Sequence, residues 1–484
     1  MNRTNFNWLK FIKELSIIAI PVALQNLLTT TGSMVDTMML ATLGETTVGA
    51  IGLCAQFSSL FFSCYWGFIG GGTLFVSQYW GAKNDDGIRR SYGITMCLVL
   101  TVGIIFNLLA VGFPQTVMGI YTNKPEIQQI GIQYLRIVGY AFPLQSITVV
   151  MSMLLRATER VHIPLIAGIA SVFSNCFFNY LFIFGKLGLP AMGAPGAAVG
   201  TVIASFVNLL VLVVFVILQK IPYALELHRC FKWNRVFIQT YFKRCFPILC
   251  NEGAMGLSTM LINIVLGRQS AAAIAAVAIY RTIEGMVIAF FGGFSSAASV
   301  LVGKAVGAGK HEEAQQKTVR IVYLTSAIIF VVCTAIMLFH TPLFTVMGLS
   351  GESFEICTVL CLIYCIVAVI RMGNWQHNDC FRAGGDPTFG TIMEITFMYL
   401  LVIPCVYISH FVFHAPFYLV FALVYCDEPI RYFIMQRHLY SRKWIQPVSD
   451  KGLETIDAFR EKYHVKTGYP VIDAIKRISK KNLQ

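Results

Sequence analysis

Runs of apolar residues recur along this 484-residue chain, separated by short polar breaks. A bilayer core of roughly 30 Å takes about 20 residues of α-helix. Scanning at that length predicts twelve spans, near 15–40, 48–79, 91–114, 127–154, 163–184, 194–219, 244–266, 274–305, 318–339, 355–381, 388–410 and 414–436. Several are longer than a bilayer needs, so they tilt or project beyond it. After residue 437 the pattern turns polar.

Composition agrees with the pattern. The chain is 56 % hydrophobic and 13 % charged, against about 25 % charged in soluble domains. A large soluble enzyme is thereby excluded. The 14 cysteines lie mostly inside apolar runs, as Cys97, Cys333, Cys361 and Cys365 do. They read as small buried hydrophobes, not as disulfides or zinc ligands. The apolar stretch behind Arg3, Lys10 and Lys13 is too long for a signal peptide and reads as a retained first span. No nucleotide-binding or hydrolase motif stands in the sequence, so no enzyme, cofactor, nucleotide or nucleic acid is expected. Gly70-Gly71-Gly72 and the Gly303/Gly307/Gly309 set lie in or at the ends of spans and fit close helix packing.

The net charge of +13 has a side. Ahead of the tail, 19 Lys and Arg fall at the N-terminus and in alternate breaks, including Arg156 and Arg382. The other breaks hold three: Lys124, Lys186 and Arg268. Basic loops stay cytoplasmic, so both termini are expected inside.

A shift of 226 residues superposes the halves of the sequence. Pro21 falls on Pro247, Met34 on Met260, Gly67-Phe68 on Gly293-Phe294, Gly81-Ala82 on Gly307-Ala308 and Arg156-Ala157 on Arg382-Ala383. Six spans per half is an even number, so both halves enter from one side, as a parallel repeat. The expected fold is an all-α polytopic membrane protein, two six-helix bundles around a central cleft. Its expected parts are an N-terminal segment 1–14, a first bundle 15–219, a linker 220–243, a second bundle 244–436 and a basic tail 437–484.

Ionisable groups inside a span are costly and are functional candidates by default. Asp36 is the clearest, 15 residues beyond the kink-prone Pro21 in span 1. In apolar surroundings its carboxyl can trade a proton. Alternatively it is a static partner of Arg136, at similar depth in span 4. Glu252 in span 7 and Arg371 in span 10 are the second-bundle candidates, with Arg371 pairing to Glu252 or to Glu394. Arg281 and Glu284, spaced i, i+3, can satisfy each other or line the outer cleft. Asp427, Glu428 and Arg431 read as architectural. Asn175 and Asn179 share a face of span 5 and, with Asp36 and Thr201, can form a polar pocket. Most of the aromatic and Met residues, such as Phe57, Phe61, Tyr65, Trp66 and Met255, read as packing, and a minority as a cleft lining for flat cations. The tail segment Val471–Ile478, flanked by Lys476, Arg477, Lys480 and Lys481, fits either an interfacial helix or a solvated extension.

Several segments resemble the MATE (multidrug and toxic compound extrusion) transporters of prokaryotes. They are Pro21 with Val35-Asp36-Thr37, Val76-Ser77-Gln78-Tyr79-Trp80-Gly81-Ala82-Lys83, Asn175 to Thr201, and Phe381-Arg382-Ala383-Gly384-Gly385-Asp386-Pro387. The resemblance covers about residues 15–445. It implies an antiporter that exports amphipathic, often cationic compounds against inward H⁺ or Na⁺, with Pro21 as a hinge. Asp36 matches the family's coupling acid, Asn175 its span-5 Asn and Thr201 its span-6 Thr. The family's span-5 Asp is Asn179 here. Glu252 lies about one turn from the family's span-7 acid, and Arg371 stands near its span-10 acid. A Na⁺ near Asp36 or Glu252 is the metal the resemblance allows; no structural metal is expected. The expected partners are a small-molecule substrate and the bilayer of the inner membrane, the protein acting as a monomer. The alternative is a flippase for a lipid-linked or anionic headgroup.

Overall fold

The computed structural model describes residues 7–465. Twelve helical spans run through it, with no strand among the described residues. The first six are α1 (Trp8–Ala41), α2 (Glu45–Ala82), α3 (Asp85–Gly112), α4 (Pro125–Val138 and Ala141–Ala157), α5 (His162–Phe184) and α6 (Ala194–Leu218). The second six are α7 (Arg235–Leu266), α8 (Ala271–Gly307), α9 (His311–Leu338), α10 (Gly351–Gly384), α11 (Pro387–Phe411) and α12 (Phe417–Leu423 and Glu428–Ser441). A last helix, α13 (Asp450–Lys462), follows the spans.

Local chemistry sets the ends. Asn7, Asn84, Asn234 and Ser270 cap α1, α3, α7 and α8 by accepting from backbone N–H groups three residues on. Two spans are broken. The halves of α4 meet at 48° around Gly139 and Tyr140. The halves of α12 are separated by the turn 424–427. That break sets Asp427 and Glu428 at a helix N-terminus, where the peptide dipole favours acids, with Pro429 in the first turn. These two acids therefore stand within the span, in a position that unbroken helix counting places near its end.

The first lobe (α1–α6) and the second (α7–α12) meet through a reciprocal set of glycines. A side chain at Gly81 would collide with the Lys304 carbonyl; one at Gly307 would collide with the Gln78 carbonyl. Positions 81 and 307, like 78 and 304, are 226 residues apart. Gly67 against Leu249 and Gly293 against Ala19 and Ala23 repeat the arrangement one level deeper. Each lobe thus presents the same surface to the other, as a two-fold interface requires.

These contacts lie at the basic-loop end of the bundle. There the Lys304 ammonium also meets the Glu159 carboxylate at 2.7 Å, and Gln78 donates to the Ala383 carbonyl at 2.8 Å. The chain beyond α12 completes the seal. Trp444 is fully buried, its indole N–H shared between Gln315 Oε1 and the Leu439 carbonyl. The Val448 N–H donates to Gln78 Oε1, Arg244 donates to Gln446, and Ser449 donates to the Gly307 carbonyl. The stretch from Trp444 to α13 is therefore a packed strap, not a solvated extension. The segment Val471–Ile478 lies outside the described residues.

Candidate functional site

Two polar centres occupy the interior, one per lobe. In the first, α1 carries Asp36 toward α5. Asn179 Nδ2 donates to Asp36 Oδ1 at 2.7 Å. With its amide nitrogen facing the acid, Asn175 donates to both carboxylate oxygens, at 2.7 and 2.8 Å. The i, i+4 spacing puts both amides on one face, and Gly200 on α6 leaves room for the Asn179 side chain. Thr201 does not bond to the acid; its hydroxyl donates to the Ala197 carbonyl one turn back, at 3.0 Å. Arg136 is exposed and forms no ion pair among the described residues, so the static-pair reading of Asp36 is corrected. Its position on the outer face of the amphipathic first half of α4 explains the miss: depth along a span says nothing of facing.

Between Pro21 and Asp36, α1 is chemically soft. Pro21 lacks the N–H of a helical bond. The hydroxyls of Thr29, Thr30, Thr31, Ser33 and Thr37 bond back to carbonyls four residues earlier, which weakens the helix's own ladder. The helix nevertheless runs unbroken past Pro21.

The second centre is a charged network. Arg371 pairs with Glu284 on α8 and reaches Glu428 on α12 at 3.8 Å. Neither Glu252 nor Glu394 is its partner. Glu284 is thereby removed from Arg281, which donates to Asn263 instead; the i, i+3 pair does not form. Glu428 also accepts from Arg431 and Asn374, at 2.8 and 2.7 Å. Asn378 donates to Glu394 at 2.9 Å. Glu252 meets Arg382 at 3.6 Å, and Asp379 accepts from Ser295. Charge pairs in low dielectric hold geometry at the cost of desolvation, and the helix after the α12 break supplies two of these groups, Glu428 and Arg431.

A cavity of about 540 Å³ opens between the lobes. Its second-lobe wall carries six carboxylates, those of Glu252, Glu284, Asp379, Glu394, Asp427 and Glu428, against four guanidiniums, those of Arg281, Arg371, Arg382 and Arg431. Its first-lobe wall is apolar or neutral apart from Arg156. Asp36, Asn175, Asn179 and Thr201 do not line this cavity. Of the aromatics, Trp66, Tyr280, Trp375, Phe421 and Tyr425 line it, whereas Phe57, Phe61 and Tyr65 pack against one another and Phe106 or Phe142. Arg156 and Arg382, counted as loop charges in the sequence, sit in the last turns of α4 and α10 and face the cavity. Their recurrence at the 226-residue shift was the available signal. Asp379 and Asn251, Asn374 and Asn378 had none.

The family model described as MatE matches this chain twice, over residues 21–181 and 247–408. The chain belongs to the MatE family of transporters. Among curated relatives, it is 22 % identical to an uncharacterized transporter, YisQ, of Bacillus subtilis, covering 85 % of this chain and 90 % of that protein. It is 26 % identical to a probable multidrug resistance protein, NorM, of Thermotoga maritima, over 62 % of this chain and 64 % of that one. Multidrug and toxin extrusion protein 1 of Oryctolagus cuniculus is 22 % identical over 81 % of this chain and 68 % of its own. Among solved structures, an outward-facing multidrug resistance MATE transporter superposes with a TM-score of 0.79 at 17 % identity, covering 89 % of this chain and 96 % of that one. A Pyrococcus furiosus transporter, described as having a binding pocket of reversed polarity, gives 0.80 at 17 %, with the same coverage. This MatE chain is a multi-pass membrane transporter with two six-helix lobes.

Proposed function

We propose that this chain is a cation-coupled antiporter, driven by H⁺ or Na⁺, that exports amphipathic cationic compounds by alternating access. The observation that carries the reading is Asp36. It is the one carboxylate within the first lobe's spans, clear of their ends, and amides alone hold it. Neutral donors leave its charge uncompensated, so binding a proton or a Na⁺ changes the local balance more than at a salt-bridged acid. That change acts on the softened stretch of α1, and α1 packs along the lobe junction, where Asn26 donates to the Ala289 carbonyl.

The basic loops support a sealed end in the cytoplasm, in the inner membrane of a bacterium, with both termini inside. The cleft then faces outward, ready to release substrate. Its acid-rich wall favours a cationic group over a lipid-linked anion. Domain boundaries near 15, 220, 244 and 436 and a monomeric state belong to the same reading.

The test is efflux from proteoliposomes under an imposed pH or Na⁺ gradient. Wild type should extrude an organic cation such as tetraphenylphosphonium under one of them. Asp36→Asn keeps the shape and should reduce gradient-driven efflux to the level of empty vesicles. Wild-type efflux by that variant would overturn the coupling assignment.

A further inference from the structure

The strap between Trp444 and α13 is fastened to one lobe and reaches the other. Its fastenings are on the second lobe. The Gln446 N–H donates to the Gly384 carbonyl at 2.7 Å. The Ser449 hydroxyl donates to the Gly307 carbonyl at 2.8 Å, and Thr455 on α13 lies 3.0 Å from His311 Nε2. A side chain at Gly384 would collide with the Trp444 indole. Toward the first lobe the strap extends Val448. The Val448 N–H donates to Gln78 Oε1 at 2.8 Å, and its side chain packs against the apolar core built mainly from first-lobe residues.

Gln78 is fully buried, and both ends of its amide cross the junction. Nε2 donates to the Ala383 carbonyl, and Oε1 accepts from Val448. Its repeat mate at the 226-residue shift is Lys304. Lys304 crosses in the opposite direction, to Glu159 at 2.7 Å. Each lobe therefore sends one side chain across the junction from the same place. The chemistry of the two crossings differs. The Lys304–Glu159 pair keeps 43 % and 28 % of its side-chain surface exposed, so water and salt weaken it. The Gln78 crossing is neutral and buried. It is complete only because the strap supplies the second partner, since a buried acceptor left unmet is costly.

The linker supplies an internal control. It lies beneath the first lobe, where Trp233 donates to the Arg90 carbonyl at 3.2 Å and Glu226 meets Arg89 at 3.2 Å. It is fastened to the lobe it covers. The strap instead carries a second-lobe segment onto α2.

Opening toward the cytoplasm requires Gly81 and Gly307 to leave the carbonyls they face. Gln78 must then leave both of its partners, while the strap stays with the second lobe. A contact made in one state only shifts the balance between states by its whole free energy. We infer that the strap is a state-selective latch, which holds the transporter closed to the cytoplasm through Val448 and Gln78. The inference rests on alternating access and goes beyond it by naming what sets the resting state.

Single-molecule fluorescence energy transfer tests this on the full-length protein in lipid nanodiscs. The dyes are carried by p-acetylphenylalanine at His162 and Lys310, which are exposed at the cytoplasmic ends of α5 and α9, one on each lobe. The readout is the ratio of open to closed dwell time. Gln78→Leu keeps the bulk and removes both hydrogen bonds. Val448→Pro removes the strap's N–H. Each should raise the ratio at least about fivefold, the worth of one buried hydrogen bond. Should Val448→Pro not fold, Val448→Gly, which withdraws the side chain from the first-lobe core, takes its place and should raise the ratio as well. A wild-type ratio in the Val448 variant overturns the latch. If Gln78→Leu nevertheless shows a rise, the hold belongs to Ala383 alone. Lys304→Gln, which breaks the ionic crossing, separates the two levels of the argument. Opening in that variant or in wild type, with no rise in the Val448 variant, removes the latch and leaves alternating access standing. No opening in any of these proteins overturns alternating access itself.

Discussion

Arg156 and Arg382 stand at equivalent ends of α4 and α10, yet one meets an amide and the other two carboxylates. The difference extends through both lobes. Where the second lobe builds a web of arginines and acids, the first isolates one acid among amides. The backbone repeat is kept closely enough for Gly81 and Gly307 to exchange roles across the junction. The division of chemistry therefore does not come from architecture. It comes from which polar residues each copy places on the same scaffold. A web in which every charge has a partner resists change. A single acid held by neutral donors can take up or lose a cation without breaking an ion pair. On the proposed coupling reading, the first lobe responds and the second holds shape.

That contrast can be broken experimentally, and the largest effect is expected in the second lobe. Arg371→Ala leaves Glu284 unpaired and takes one of three donors from Glu428. Its thermal unfolding in detergent should show a loss of about 3–5 kcal/mol. Removing both members of the pair should repair most of it. Arg371→Met with Glu284→Met, read in the same assay, should lie within about 1 kcal/mol of wild type, since Glu428 keeps Arg431 and Asn374. If the double variant is as unstable as the single one, the web is not a self-contained charge balance.

The first lobe should behave in the opposite sense. Asp36→Asn loses charge assistance at two amides but removes an isolated charge, so its unfolding should shift by only about 1 kcal/mol while coupling is lost. A large stability loss would mean that Asp36 is architectural. Smallest of all should be Gln25→Glu, which gives Arg156 the partner that its repeat mate has. Stability in the same unfolding assay should change by less than about 1 kcal/mol. That substitution makes the lobes more alike, and a larger gain would mean that the missing counter-charge weakens the first lobe.

Twelve spans and their pairing into halves were legible because hydropathy and a constant offset are properties of the sequence itself. Asp36 with Asn175 and Asn179 was legible too, because i, i+4 spacing fixes a shared face and the Asp is isolated in an apolar run. The partners of Arg371 were not. They depend on which of several acids at similar depth faces inward, and that is set by helix rotation and by the break in α12. Arg136 failed for the same reason in reverse: similar depth, wrong face. Arg156 and Arg382 were read as loop charges because the helices continue a few residues beyond the apolar run, to Ala157 and Gly384.

The strap after α12 has a consequence for the order of assembly. Gln78 lies early in the chain, at the inner end of the second span, but one of its two seals is the N–H of Val448. The last residues that lock the junction are thus made only after all twelve spans have been synthesised. Until then the halves can insert and dock with the gate unfastened. Closure is a late, C-terminal event of biogenesis, and a chain interrupted before Trp444 would reach the membrane with both lobes present and the door without its bolt.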